Sequence, residues 1–422
     1  MTSRTSWEDF KFLVKDRKKK GFTVIQTVVG VPPETDIFST QASNSGGTPF
    51  TKGFKINQKY FLEVDRKIKY LLDHNLTPCI FGAWGHHIDI IGNDLMMQWW
   101  KEIVKRYAKY EVIFCLTGEA DIFPQQKLLQ NNLFKNKLLS YLPNSIKTFI
   151  KSKLISPNIY SPISDRLKKW DEVARYIKKI DKYNRLLTVH VHQQKTASEL
   201  FDNPDWLDID SIQSGHSKES LGFMISAILS KKNKKQPIIN LEPWYEGING
   251  NFFDYYQRVA FWACILSGAA GHTYGAHGIW QMATHNDDYL KHWGTSNWKT
   301  AINYKGAVQI GLAKKYLEKL EFHKLKPTRQ LITPSNNKQN LYLPIAAEVG
   351  GNEYFIYFPD KSIQRNFKLF FNKKISVFKC QWIDPRSMKI VAKARIKSKK
   401  NQLKIIQKVN AKDILLYIKG SL

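Results

Sequence analysis

The sequence predicts an α/β fold: a (β/α)8 TIM barrel lacking its first strand, followed by a small antiparallel β-sandwich domain. Three observations predict it. Short apolar, β-branched runs alternate with amphipathic helical stretches through most of the chain, the pattern of βαβ units on a parallel sheet. From about residue 325 the texture changes to short alternating strands separated by turn residues. The 422 residues also exceed one compact core of ordinary size, which favours a large barrel or two domains.

The strands drawn from the first pattern are Phe22–Val29, Pro78–Ala83, Val112–Leu116, Leu186–His190, Ile209–Gln213, Pro237–Leu241 and His272–Tyr274. Helices fit between them at Trp7–Lys20, Asn57–His74, Leu95–Tyr107, Asp165–Tyr183, Lys218–Ser230 and Phe252–Leu266. In FLEVDRKIKYLL, for example, Phe61, Val64, Ile68, Leu71 and Leu72 share one face at helical spacing. The chain opens in what should be the helix after the first barrel strand, so seven barrel strands are expected in residues 1–324. Residues 122–164 interrupt the alternation with a Lys-containing, acid-free run that reads as one or two amphipathic helices. This insert is taken as an excursion from the barrel, with a lid or a membrane-surface contact as alternatives. Residues 325–422 then read as strands in LYLPIAAEV, EYFIYFP, FKLFF, ISVFKCQWID, LKIIQKV and DILLYI, with Lys389 to Lys400 as a solvated basic hairpin.

Hydrophobic residues at 43% and aromatics at 13% suffice for a full core and exclude a disordered chain. The 12 Trp, 19 Tyr and 24 Phe also suit sugar rings, whose apolar C–H faces stack on such side chains. The net charge of +29, from 65 Lys and Arg against 36 Asp and Glu, comes mainly from scattered Lys. A solvated basic surface is the first reading, an anionic polysaccharide or membrane surface the second. No Arg-rich motif with interleaved aromatics points to a specific nucleic acid. Cys79, Cys115, Cys264 and Cys380 stand isolated in apolar contexts, which predicts neither a zinc site nor a disulfide framework. With no basic-then-apolar leader and no membrane-length apolar run, the chain as written reads as cytoplasmic, without a transmembrane segment.

A barrel enzyme assembles its site at the C-terminal ends of the strands. Two strand ends carry glutamate: Glu119 in VIFCLTGEAD and Glu242 in PIINLEPWYEG, where Pro243 stops the strand. Counted with the absent first strand, they fall on the fourth and seventh strands. A carboxyl pair across a barrel mouth is what glycoside hydrolysis needs, one acid to protonate the leaving oxygen and one carboxylate as nucleophile or base. Other strand ends carry Trp84 and His86 in FGAWGHH, Gln213 and His216 in IQSGHS, and Tyr274, His277 and Trp280 in GHTYGAHGIW. With His192, Trp244, Tyr245 and Glu246 these are the expected sugar-binding groups, and His272 reads as a strand-interior residue. His190 and His192 share a strand face, but no carboxylate at ligand spacing accompanies them, so neither a metal nor another cofactor is expected.

The runs GFTVIQTVVG, NQKYFLEVDRKIKYLLDHNLTPCIFGAWG, CLTGEAD, IQSGHS, NLEPWYEG and RVAFWACILSGAAGHTYGAHGIW resemble the apiosidase-like glycoside hydrolases, family 140 and its relatives, over roughly Trp7 to Trp298. The tail around QWIDPRS resembles the β-domain that commonly follows that barrel. The resemblance implies a retaining enzyme with its acid/base at Glu119, where many relatives carry Asp, and its nucleophile at Glu242, with Glu246 as rival. A retaining pair would face each other at roughly 5–6 Å. Relatives open with a first strand ending in an Asp-Thr-x-Trp-like motif that lines the substrate pocket, and here nothing precedes the helix near Trp7. Either the start codon is assigned late, in which case a signal peptide and a secreted or periplasmic location go with the lost strand, or the copy is truncated. The two function classes are therefore an enzyme acting on a polysaccharide or glycoconjugate and a catalytically impaired carbohydrate-binding protein derived from one.

Overall fold

The computed structural model describes residues 2–122, 162–192, 194–231, 236–328, 342–360, 366–370, 377–398, 402–406 and 409–421. They cluster into two compact units: Met1–Val14 with Thr23–His192 and Ala197–Asp208, and Lys15–Phe22 with Gln193–Thr196 and Ile209–Leu422. The amphipathic run predicted at 122–164 lies almost wholly outside the described residues.

In the first unit, which takes in α1 (Trp7–Lys19) only as far as Val14, the order is α1, β1 (Val24–Val28), α2 (Gln58–Asp73), β2 (Thr77–Phe81), α3 (Asn93–Tyr107), β3 (Ile113–Cys115), α4 (Ile163–Ile180) and β4 (Leu187–Thr188). The strands pair in parallel in that sequence, β1 at one edge. Helix α2 starts where the Asn57 side chain accepts from the Lys59 amide, satisfying one of the first-turn N–H groups. It buries the predicted face through Phe61, Val64, Ile68 and Leu71. Lys67 lies on that buried side with its ammonium donating to the Thr5 carbonyl at 2.9 Å, the Thr5 hydroxyl at 3.1 Å and the Thr2 carbonyl at 3.2 Å, beside Glu63. Burial lowers its pKa, and the carbonyls it satisfies pin the segment ahead of α1. Trp99 of α3 closes the core below β2, donating its indole N–H to the Gly82 carbonyl at 2.8 Å.

The second unit continues the alternation with β5 (Asp210–Gln213), α5 (Ser220–Ser230), β6 (Ile238–Glu242), α6 (Asp254–Leu266), β7 (Gly271–His272) and α7 (Lys305–Leu317). Strands β5, β6 and β7 are parallel, and the short strand Lys195–Thr196 runs antiparallel along β5. Each of the seven predicted parallel strands thus has a counterpart, four in one sheet and three in the other. Helix α7 has no counterpart in the sequence reading. Helix α6 is buried continuously from Gln257 to Leu266 because a second layer covers it.

That layer is the C-terminal β-region: β8 (Lys326–Pro327), β9 (Ile345–Val349), β10 (Glu353–Phe358), β11 (Asn366–Phe370), β12 (Val377–Asp384), β13 (Lys389–Lys397), β14 (Gln402–Ile406) and β15 (Ile414–Ser421). Six of these form an antiparallel sheet in the order β8-β9-β10-β15-β12-β13, and β11 pairs with β14. One face of the large sheet shares a core with Leu369 and Leu403 of the small one, through Ile356, Phe358, Phe378, Trp382 and Leu416. The other face, with Phe355, Tyr357 and Leu415, belongs to the core that contains α6, where Trp262 stacks on Tyr357 at 6.1 Å. The four cysteines are buried free thiols, and no helix among the described residues is long and apolar enough to cross a membrane.

Candidate active site

In the first unit, three consecutive strand ends are laced by backbone hydrogen bonds. After β3, Gly118 donates to Ala83 and its carbonyl accepts from Gly85, while Ala120 donates to His190 and His190 to Thr117. A Cβ on Gly118 would sit 2.4 Å from the Trp84 ring, so glycine is what lets the indole lie across this turn. Trp84 then donates its ring N–H to Glu119 Oε2 at 2.9 Å, and the Glu119 amide points at His190 Nδ1 at 3.4 Å. Glu119 holds φ 43°, a left-handed conformation that costs a non-glycine residue about 1–2 kcal/mol. The network fixes one carboxylate at a strained strand-end position. His192, two residues beyond His190, donates its amide to Asp121 Oδ1 at 2.7 Å, two residues beyond Glu119. His86 is buried against His87, and burial drives its pKa well down, so its ring is neutral.

In the second unit the corresponding group is Glu242, the last residue of β6. Its amide donates to Asn240 Oδ1 at 3.2 Å, and its backbone carbonyl accepts from the Ser214 amide at 3.2 Å. His216 Nε2 lies 3.0 Å from Glu242 Oε1, the geometry of a ring N–H donated to a carboxylate. Half-buried rings surround the pair: Tyr245 at 5.0 Å and Trp293 at 6.4 Å from the His216 ring, and Trp280 at 5.8 Å from Tyr245. A Cβ at Gly275 would fall 2.0 Å from the Tyr245 ring, so this glycine admits the tyrosine.

Glu246 is built differently. Its side chain is almost wholly buried, with Oε2 accepting from the Tyr274 hydroxyl at 2.7 Å and Oε1 from the Gly306 amide in the first turn of α7 at 3.1 Å. Burial raises its pKa against those two donors. The carboxylate therefore ties the β6 loop to the segment after β7 and to a helix N-terminus, which welcomes negative charge. Trp244 is fully buried beside Phe252, its indole N–H donating to the Ser217 carbonyl and the Ser220 hydroxyl, so it belongs to the core. Gln213 is buried at the end of β5, and His277 is buried against Gln281, which lowers its pKa. Both nitrogens of His272 are buried, and burial pushes its pKa down to about 3. Sequence reasoning passed over Trp293, whose only signal is an aromatic in the loop run KHWG, and Asn240, hidden inside an apolar strand.

The structure thus gathers Glu242, His216, Tyr245 and Trp280 in one unit, and Glu119, Trp84 and His190 in the other. The sequence model of a family described as Apiosidase-like, catalytic domain, matches residues 1–324. A search of curated proteins gives no match. Among solved structures, one described as a glycoside hydrolase aligns with a TM-score of 0.73 at 19% identity, over 100% of this chain and 91% of its own. A glycoside hydrolase family 5 protein from Bacteroides vulgatus ATCC 8482 aligns with a TM-score of 0.72 at 18% identity, over 99% of this chain and 87% of its own. These neighbours are TIM-barrel enzymes, and at such identities the likeness is one of fold. The family match spans more than half of the chain and includes both strand-end glutamates, so the protein belongs to the apiosidase-like family.

Proposed function

We propose that the protein is a glycoside hydrolase that cleaves a glycosidic bond in a polysaccharide or glycoconjugate by retaining double displacement. The observation that carries this reading is Glu242: a carboxylate at a parallel strand's C-terminal end, its backbone anchored by Asn240 and Ser214, its side chain held by His216 among half-buried aromatic rings. In the first step Glu242 attacks the anomeric carbon as Glu119 passes its proton to the glycosidic oxygen, breaking the C–O bond and leaving a glycosyl ester on Glu242. Glu119 then takes a proton from water, which attacks the anomeric carbon and releases Glu242. The indole N–H of Trp84 orients Glu119 as His216 orients Glu242. Tyr245, Trp280, Tyr274 and Trp84 are the rings assigned to stacking on the sugar and His192 a group assigned to hydrogen-bonding it, while Gln213, Trp244, His86 and His277 are buried. Glu246, with both oxygens engaged, acts as a structural carboxylate.

Glu242→Gln preserves volume and hydrogen-bonding shape but removes the nucleophilic charge. Its turnover on a glycoside panel is expected to fall by about three orders of magnitude or more, with melting temperature and sugar binding unchanged. Glu119→Gln should keep partial activity on aryl glycosides with good leaving groups, which need little protonation, and azide should raise it by replacing activated water. If Glu246→Gln loses turnover while Glu242→Gln keeps it, the nucleophile is wrongly assigned. If both variants stay active, the mechanism is wrong.

A further inference from the structure

The chain after β7 makes a loop built around one aromatic ring. Trp298 donates its amide to the Ala283 carbonyl at 2.9 Å, which brings the ends of residues 284–297 together, and the Ser296 and Tyr304 hydroxyls bond across the foot of the loop at 2.7 Å. Its tip is a single 3-10 turn, Lys291–Trp293, flanked by two residues with left-handed backbone, Leu290 at φ 60° and Gly294 at φ 142°. A leucine takes that conformation at a cost, and at Gly294 a Cβ would fall 2.8 Å from the buried His277 ring, so only glycine fits. The tip packs against the turn Ile248–Gly250, which continues the loop after β6. The loop after β7 therefore leans across the loop after β6, and the backbone bends on both sides of Trp293 to do so.

That bend delivers the Trp293 ring to the nucleophile's side of the site. Its centroid lies 6.4 Å from that of His216, the histidine held 3.0 Å from Glu242 Oε1, and Tyr245 and Trp280 extend the same row of rings. His216 meets the indole edge to face at 63°, and part of the indole stays open to solvent. A large apolar ring kept half-exposed by costly backbone is poorly explained by core packing, and such strain concentrates where a loop must present a group. In a double displacement the nucleophile bonds the anomeric carbon while the acid meets the leaving group, so a ring touching the nucleophile's histidine stands beside the sugar under attack. We propose that Trp293 is a specificity-determining residue whose indole stacks on the apolar C–H face of the sugar that Glu242 attacks. The inference rests on the glycosidase reading and deepens it, because it limits the glycone to rings with a contiguous C–H face and assigns their recognition to the loop after β7.

The test compares full-length wild type, Trp293→Ala and Trp293→Phe on the aryl glycoside that a glycoside panel identifies, on an oligosaccharide with the same glycone, and with the released sugar as inhibitor. Trp293→Ala should raise KM on both substrates by about tenfold and weaken inhibition by the released sugar by the same factor, while kcat falls less than about threefold. Trp293→Phe, which keeps an aromatic face, should recover most of that loss, and the melting temperatures of all three proteins should agree. Unchanged KM overturns the proposal. So does a fall in kcat at constant KM, which would mean that the ring acts through His216 on Glu242. A KM effect that depends on the leaving group, with inhibition by the released sugar unchanged, also overturns it by placing the ring beside the leaving group. If the panel gives no turnover, the glycosidase reading fails, and calorimetric binding of the panel's sugars decides this inference separately: binding lost in Trp293→Ala sustains it, and binding that is absent or equal in the two proteins overturns it.

Discussion

His87 is a histidine whose place is set by burial. Its Nδ1 accepts from the Trp84 amide at 3.2 Å, and its Nε2 lies 3.2 Å from the Thr35 carbonyl, to which a neutral ring donates. Fully buried, it has its pKa pushed down from 6.5 to about 4. Below pH 6.5 the unfolded chain takes up a proton there that the folded protein refuses until about pH 4. Stability should therefore fall as pH drops through that window, by about 3 kcal/mol from this residue alone. Urea titrations from pH 7 to pH 4 read the slope, and His87→Asn should flatten it; an unchanged slope would contradict the burial argument. The residue scale also shows what a sequence conceals. Glu119, Trp84, His216 and Glu242 were legible because polar and aromatic groups at the end of an apolar strand have no propensity reason to be there. EPWYEG looked uniformly site-like, yet its members divide: Glu242 beside His216, Tyr245 half-buried, Trp244 in the core and Glu246 bonded to Tyr274 and Gly306. Side-chain direction in an irregular loop follows no period, so composition cannot assign it.

Helix α7 went unread for a physical reason, because KGAVQIGLAKKYL carries two glycines, each costing about 1 kcal/mol of helix propensity against alanine. The structure shows what they are for. A Cβ at Gly311 would lie 1.7 Å from the Lys20 carbonyl oxygen, and one at Gly306 would lie 2.4 Å from Glu246 Oε2. Propensity was overridden by close approach, at one glycine to the chain just after α1 and at the other to the buried carboxylate. Gly311→Ala should therefore destabilise by about 1–3 kcal/mol, despite alanine being the better helix former. Chemical denaturation checks the sign, since a stabilised Gly311→Ala protein would mean the helix shifts freely. The parallel strands were legible for the opposite reason: their apolar, β-branched runs agree with their burial, as in Thr77–Phe81. Their ends were less so, and Leu186–His190 shrinks to Leu187–Thr188 because the following residues turn away to serve the Glu119 network.

At the scale of the whole molecule, the change of texture near residue 325 marks a change of architecture but not a break in packing, since residues 209–422 form one compact unit. The link is a buried ion pair. Arg258 of α6 donates to Asp413, just before β15, through Nε at 2.7 Å and Nη2 at 2.9 Å, and the Tyr357 hydroxyl donates to the same carboxylate at 2.8 Å. Arg258 also meets Asp254 and the side-chain oxygen of Gln309, so its charge is fully matched while water is excluded. Removing one partner leaves a buried charge uncompensated, so Asp413→Ala should cost about 3–5 kcal/mol, whereas Lys419→Ala at the exposed Glu353 pair should cost less than about 1 kcal/mol. The same coupling predicts that a chain ending at residue 324 loses more than its β-strands. It would leave Arg258 without Asp413 and strip Tyr357 from Trp262, exposing the apolar outer face of α6 and driving aggregation. Expression of residues 1–324 beside the full chain is the measurement. A soluble, monomeric, cooperatively melting fragment would mean that the β-region is an independent appendage, and that the Arg258–Asp413 pair joins two modules able to stand alone.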